Sequence, residues 1–369
     1  MNILHRRQYD ADMVRSAPGF LTVLSSQLAG LTAEERQRID RRGGLRLDDI
    51  VKCVVEPVDH TVNADNPSSD CIIDYGDIAT DVTHTGYAAY TSGRVAFCIL
   101  CGGAGTRLGL GVTKGLVKLP KSGKSLLQLK LEATAELKNV WVMTSPENYE
   151  DVVEHVQSLP GTEHVKVFMQ FESVRLTLDN QVFLDEAGRP SFYPCGHGDI
   201  APALQESGLL QKFIDDGGKH ICVVNVDNLA ATPDYSIIGQ HIVSSASVTC
   251  EVVARSPGDT GGVLCSTGGI NQIVEMFRMS PKTDTSQFVW LNTNTFIFDA
   301  DLDFSHVKWS WHRVRRQVRG KMVVQYERLI QDLTENFDTK YVAVPRDVRF
   351  KPLKTLEDLQ AITQTYDTV

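Results

Sequence analysis

The stretch with most chemical potential is Gly102-Gly103-Ala104-Gly105-Thr106-Arg107-Leu108-Gly109, which directly follows the apolar run Val95–Cys101. Clustered glycines let backbone amides approach an anion or a flat base closely, in conformations that a Cβ would forbid. Gly102, Gly103, Gly105 and Thr106 are therefore expected to line a binding loop. Two generic phosphate motifs fail here. The dinucleotide fingerprint GxGxxG misses by one residue, because three residues separate Gly105 from Gly109. The phosphate-binding P-loop requires a glycine five residues before GK[ST], and Gly123-Lys124-Ser125 has Lys118 there. Arg107 and Lys114 bring cations to the loop, and Asp227 follows the apolar run His220–Val226. A carboxylate at the carboxyl end of a strand beside an anion-binding loop is suited to Mg2+, which keeps several waters and needs only one or two protein carboxylates. Cys98 and Cys101 match CxxC, but they lie inside VAFCILC, so core packing is expected rather than redox or metal chemistry.

These residues need strands that end beside them, and the pattern supplies such strands. Strands are expected at Val95–Leu100, Val140–Met143, Val165–Met169 and His220–Val226, with helices at Ser125–Leu137, Glu147–Leu159 and Leu204–Asp216. That alternation predicts an α/β fold with a largely parallel, doubly wound sheet, in which ligands bind at the carboxyl ends of strands. Later strands at Val248–Ala254, Gly261–Cys265 and Thr295–Phe298 are expected to form an antiparallel extension. Upstream, Gly19–Leu31 has helical spacing, and Thr32 with Glu35 fits a capping box opening a second helix. Residues 58–90 are polar and read as a long loop or arm.

The formal charge of −9 argues against nucleic-acid and anionic-membrane partners, so any positive charge at a site must be local. The basic run His312–Lys321 is accordingly expected to be a solvated helix face. The opening MNILHRRQYD has no apolar run long enough for a signal peptide or anchor, which predicts a cytoplasmic protein whose eight cysteines are reduced.

GGAGTRLG followed by Thr113-Lys114-Gly115 resembles the GGxGTRLG…PKG signature of eukaryotic-type UDP-sugar pyrophosphorylases, with Thr113 in place of the usual proline. Further segments match in order: Met169-Gln170, Pro194-Cys195-Gly196-His197-Gly198-Asp199, Asn225-Val226-Asp227-Asn228-Leu229, Asn292-Thr293-Asn294, Gln325–Leu329 and Phe350–Lys354. The matches span residues 94–360, and no counterpart of that family's β-helical C-terminal extension is expected after Lys354.

The resemblance implies a Rossmann-like nucleotidyltransferase fold, with residues 1–90 a helical segment and arm and residues 91–369 the catalytic domain. It implies Mg2+-dependent uridylyl transfer from UTP to a hexose 1-phosphate. Lys114 and Lys354 would be the phosphate-handling lysines, joined by Arg107, with Asp227 holding the metal. Gln170 would read the uracil edge, the Gly196-His197 loop would meet base and sugar, and Asn292 and Asn294 would bind sugar hydroxyls. Asn225 would serve the metal or the ribose. The GHGD-like loop is similar to that of glucose-type enzymes, making glucose 1-phosphate the leading acceptor and N-acetylglucosamine 1-phosphate the alternative. Two other classes remain open: a nicotinamide oxidoreductase, against which the glycine spacing counts, and a catalytically silent nucleotide-binding relative.

Overall fold

The computed structural model describes residues 18–41, 43–55, 62–103, 105 and 112–367, which divide into two compact units. The larger comprises the described residues within 59–170, 196–310 and 328–369, and the smaller those within 1–58, 171–195 and 311–327.

In chain order the strands are β1 (Ile72–Asp74), β2 (Val95–Leu100), β3 (Val140–Thr144), β4 (Val165–Met169), β5 (Glu172–Val174), β6 (Leu176–Thr177), β7 (Phe192–Pro194) and β8 (His220–Asn225). They continue with β9 (Val248–Ala254), β10 (Gly262–Thr267), β11 (Ile270–Glu275), β12 (Trp290–Asp299), β13 (His312–Val318), β14 (Lys321–Glu327) and β15 (Thr339–Ala343). The larger unit is built on one sheet in the order β1-β15-β9-β12-β8-β2-β3-β4, with β10 and β11 as a hairpin off β12. All neighbours along that path are parallel except β12, which runs antiparallel to both β8 and β9.

Every residue of β2 is buried, as a central strand covered on both faces requires. Phe97, Ile99 and Cys101 join the main apolar cluster with Val140 and Val142. Trp141, which alternates with those two valines, meets Phe213 edge-on at 5.2 Å on the other face. From β2 the chain proceeds to β3 and β4 on one side and returns to β8 on the other. The reversal between β2 and β8 is the crevice in which α/β sheets bind ligands.

Four expectations need correction. The stretch 58–90 is no mere arm: it contains β1, paired with β15, and most of the helix Thr80–Ser92. That helix approaches the helix Tyr235–Ser244 so closely that a Cβ on Gly86 would lie 1.8 Å from the Tyr235 carbonyl oxygen. Contacts made far along the chain outweigh the local polarity of Asp, Thr and Ser. Secondly, β9 and β12 belong inside the main sheet rather than to an extension. Thirdly, the expected helix 204–216 is two helices, Ile200–Glu206 and Leu209–Asp215, broken at Gly208 with φ 75°. Lastly, the basic run is strand β13, which pairs with β14 across a turn at Arg319 (φ 49°) and Gly320 (φ 77°). Two successive left-handed residues close a two-residue hairpin.

The smaller unit joins the helices Pro18–Ala29, Ala33–Ile39 and Leu47–Val55 to the pair β5–β7 and the sheet β13-β14-β6. The capping box of Thr32 and Glu35 is formed as expected. Arg38 clasps Glu172 with bonds of 2.6 and 2.9 Å and lies 3.7 Å over the Phe192 ring. Tyr193 donates to the Tyr326 carbonyl at 2.9 Å and accepts from the Tyr326 amide at 2.7 Å. Among the described residues no helix is long and apolar enough to cross a membrane.

Candidate active site

The glycine loop leaves β2 at the carboxyl edge of the sheet. Gly102 lies so near Gln170 that a Cβ there would stand 2.4 Å from Gln170 Nε2 and 3.2 Å from the Ser145 amide. A side chain at 102 would therefore push the Gln170 amide group away from the loop. Gln170 is buried just past β4, its backbone N–H donating to the Thr144 carbonyl at 2.9 Å. Asn148 donates to the Cys101 carbonyl at 2.7 Å and secures the strand end from the side. Gly103 is exposed, and its Cβ direction is open. Gly105 has φ 61°, and a Cβ on it would meet the Val112 carbonyl oxygen at 2.8 Å. Thr106 and Arg107 lie outside the described residues.

The segment after the loop folds back: the Lys114 amide donates to the Gly103 carbonyl at 3.1 Å. Thr113 has φ −51°, an angle that proline would impose, so the backbone course survives without the ring. Gly115 packs so tightly on Cys101 that a Cβ would fall 2.4 Å from its sulfur. Cys98 and Cys101 are buried and unbridged, and burial pushes the Cys101 thiol up to about 12. That is the opposite of a redox-active thiol and bears out the packing reading.

Lys114 and Asp227 meet directly. The Lys114 ammonium donates to Asp227 Oδ2 at 2.7 Å and to the Leu353 carbonyl at 2.9 Å, and both side chains are about one-fifth exposed (20% and 18%). The Asp227 carbonyl accepts from the Leu353 amide at 2.9 Å. Asn228 tightens the same junction, donating to the Arg349 carbonyl at 3.0 Å and accepting from the Lys351 amide at 2.9 Å. Thus the segments after β2, after β8 and near residue 353 converge on one ion pair.

Two residues before Asp227, Asn225 Oδ1 accepts from Asn294 Nδ2 at 2.9 Å. Asn294 sits at an irregularity of β12 with φ 61°, its backbone N–H donating to Asn292 Oδ1 at 2.8 Å. Its own Oδ1 is buried and has no partner among the described residues. The expected trio Asn225, Asn292 and Asn294 is therefore a connected cluster.

In the GHGD-like loop, Gly196 has φ 103°. His197 Nδ1 accepts from the Ile330 amide at 3.0 Å, which places the proton of the neutral ring on Nε2. Asp199 and Arg328 form a buried ion pair at 2.6 Å. A Cβ on Gly198 would come within 2.8 Å of Arg328 and Leu329 backbone atoms. Lys354 stands apart from Lys114 in its contacts. Its ammonium lies 6.0 Å over the Phe350 ring and, with Asp259 and Arg346, lines a cavity of about 420 Å³.

Sequence reading missed the Leu353 carbonyl and the Asp199–Arg328 clamp. Both lie in segments singled out for resemblance, FKPLK and QYERL, but a carbonyl has no signature, and an arginine's partner emerges only in three dimensions.

Residues 54–367 match the family described as UTP–glucose-1-phosphate uridylyltransferase. The chain is 26% identical over 321 residues to UTP–glucose-1-phosphate uridylyltransferase 2 of Dictyostelium discoideum, covering 79% of this chain and 62% of that protein. It is 27% identical over 299 residues to UTP–glucose-1-phosphate uridylyltransferase of Astragalus penduliflorus, covering 73% and 62%. The chain thus spans less than two thirds of the length of these curated relatives. In structure it is similar to UDP-N-acetylglucosamine pyrophosphorylase of Trypanosoma brucei, with TM-score 0.73, 20% identity and coverage of 96% of this chain and 84% of the other. UDP-glucose pyrophosphorylase of Leishmania major gives TM-score 0.70 at 18% identity, with 92% and 79% covered. These likenesses bear out the α/β fold with its largely parallel sheet.

Proposed function

Because the chain belongs to the UTP–glucose-1-phosphate uridylyltransferase family, we propose that it transfers the uridylyl group of UTP to a hexose 1-phosphate, with glucose 1-phosphate the preferred acceptor. A sugar phosphate oxygen attacks the α-phosphorus, the bond to the β-phosphate breaks, and pyrophosphate leaves. Both reactants are anions, so the barrier is one of charge and position. The observation that carries the reading is the meeting of Lys114 and Asp227 beside a glycine loop at the β2/β8 reversal.

The donor set is compatible with Mg2+. Asp227 supplies a carboxylate, and the nearby asparagine cluster holds a buried amide oxygen without a partner, so the donors are oxygens of the kind Mg2+ selects. When bound, the ion would neutralise phosphate charge. Lys114 would exchange Asp227 for a phosphate oxygen. The loop amides would hold phosphates, and Gln170 offers both a donor and an acceptor to the uracil edge. His197 Nε2–H would donate to the sugar side, and Asn292 and Asn294 would face sugar hydroxyls. A cytoplasmic location belongs to the same proposal.

The test is pyrophosphate release from UTP and Mg2+ with a panel of sugar 1-phosphates. Release is expected to be fastest with glucose 1-phosphate. Equal turnover with ATP or GTP overturns uridine recognition, and a preference for the N-acetylated sugar overturns the acceptor. No release with any sugar, alongside measurable UTP binding, makes this a silent nucleotide binder.

A further inference from the structure

At the opposite edge of the same sheet, His220, His241 and Asp299 bring two imidazoles and a carboxylate together, with their ligand atoms all within 4.8 Å of one another. His220 opens β8 and Asp299 closes β12, and the two are paired across the antiparallel ladder. His241 arrives from the helix Tyr235–Ser244. The cluster stands at the far end of β8 from Asn225, about 16 Å away at ~3.3 Å per strand residue, so it is not part of the candidate active site.

We propose that this cluster is a zinc site. His220 Nδ1 lies 2.8 Å from Asp299 Oδ1, and His241 Nε2 lies 3.2 Å from the same oxygen. A tetrahedral zinc with bonds of about 2.0–2.1 Å has ligand-to-ligand edges of roughly 3.3 Å, so both distances are close to that edge. The three ligand atoms lie within 4.8 Å of one another, so closing the third edge needs one imidazole to swing inward by at most about 1.5 Å. The rings stand nearly perpendicular, at 88°, and aim their nitrogens inward rather than stacking.

The support behind the ligands also fits. His241 Nδ1 lies 2.9 Å from Thr249 Oγ1 on β9, the kind of outer partner that fixes the tautomer of a metal-bound imidazole. The buried His241 forms the floor, whereas His220 is 13% and Asp299 31% exposed, leaving an entry path and an open fourth position for water. Two histidines and one carboxylate suit zinc in preference to Mg2+ or Ca2+, which favour all-oxygen sites. Without an ion, the Asp299 oxygen must instead accept hydrogen bonds from both rings, and experiment separates these states.

The experiment strips the full chain with EDTA, removes the chelator and titrates Zn2+ by calorimetry, with Co2+ as a spectroscopic probe. Wild type is expected to bind one Zn2+ at this site, melt at a higher temperature with Zn2+ than without, and give the visible bands of low-symmetry Co2+. His220→Gln and Asp299→Asn change side chains at the exposed rim and should fold, as circular dichroism would verify. Each is expected to weaken Zn2+ binding at least tenfold and to abolish the Co2+ bands. Folded variants that bind Zn2+ as wild type does, or a wild type that binds none, overturn the proposal and leave a hydrogen-bonded His–Asp–His cluster. Neither readout depends on UTP turnover, so this test stands or falls apart from the proposed function.

Discussion

Asp227→Asn separates the two roles that converge on this carboxylate. Asn keeps the shape and still accepts from Lys114, but it removes the charge from a 2.7 Å pair whose side chains are only 20% and 18% exposed. Lys114 stays charged, so the bond becomes one of charge to dipole, and losing the carboxylate's charge from this close, partly buried pair weakens the hold on Lys114 by roughly 1–2 kcal/mol. Phosphate then displaces a weaker rival. UTP affinity measured by calorimetry in EDTA should therefore tighten by about 5- to 30-fold. Turnover with Mg2+ should move the other way, falling on the order of a hundredfold or more, since a charge aimed at the reacting phosphate is lost. Unchanged metal-free UTP affinity would refute the idea that Asp227 competes for Lys114. Near-normal turnover at ordinary Mg2+ would remove Asp227 from the metal. If both appear together, the pair is structural.

Lys114→Ala should lower kcat roughly a hundredfold with a smaller rise in the KM for UTP, because a cation at the α-phosphate acts chiefly on the transition state; a pure KM effect in steady-state kinetics would make it a ground-state anchor. Gly198→Ala should destabilise by about 1–3 kcal/mol in a denaturant melt, since its Cβ would press within 2.8 Å of the Arg328 and Leu329 backbone; a wild-type midpoint would show that the clamp yields. Lys130, buried and donating to the Ala231 carbonyl, is pushed down to about 7 chiefly by burial. The folded chain therefore sheds that proton before the unfolded one, and stability from this group rises with pH between about 7 and 10, by up to ~1.4 kcal/mol per pH unit. Lys130→Met should lack this rise, read as the wild-type minus variant difference between about pH 7 and 8, below the ordinary thiol range; a flat difference refutes it.

The sheet was legible where burial alone determines structure. VAFCIL, VWVM and HICVVN are continuous apolar runs, and each became a central strand of the main sheet, parallel to its neighbours except where β8 meets β12. Reading failed where a distant partner decides. Residues 72–74 carry two isoleucines and an aspartate, too short a signal to announce an edge strand, yet β15 recruits them more than 260 positions later. In His312–Val318 the arginines dominated the reading, while Val314 and Val318 offered too little periodicity to separate strand from helix; pairing with β14 made the choice. At the site, residue types and order pointed to the loop, to Lys114 and to Asp227, but not to their direct contact. Spacing 113 residues apart cannot show a 2.7 Å distance.

That contact gives the asparagine cluster its meaning. Asn294 adopts φ 61° within a strand, a conformation that asparagine tolerates better than most residues but that still costs energy. The irregularity turns its side chain so that Nδ2 reaches Asn225 while Oδ1 is buried without a partner. A buried unpaired acceptor costs about 1–3 kcal/mol, and strain and desolvation in one residue are hard to reconcile with a purely structural role. On β8 the partner Asn225 is only two residues from Asp227, whose carboxylate is held by a lysine. Asp227 is thus neutralised by Lys114, and beside the end of β8 the Asn294 amide oxygen of β12 is buried with no partner among the described residues. In the reading proposed above, phosphates would draw Lys114 away from Asp227, and Asp227 with the asparagine oxygen would be the donors left to hold a divalent cation.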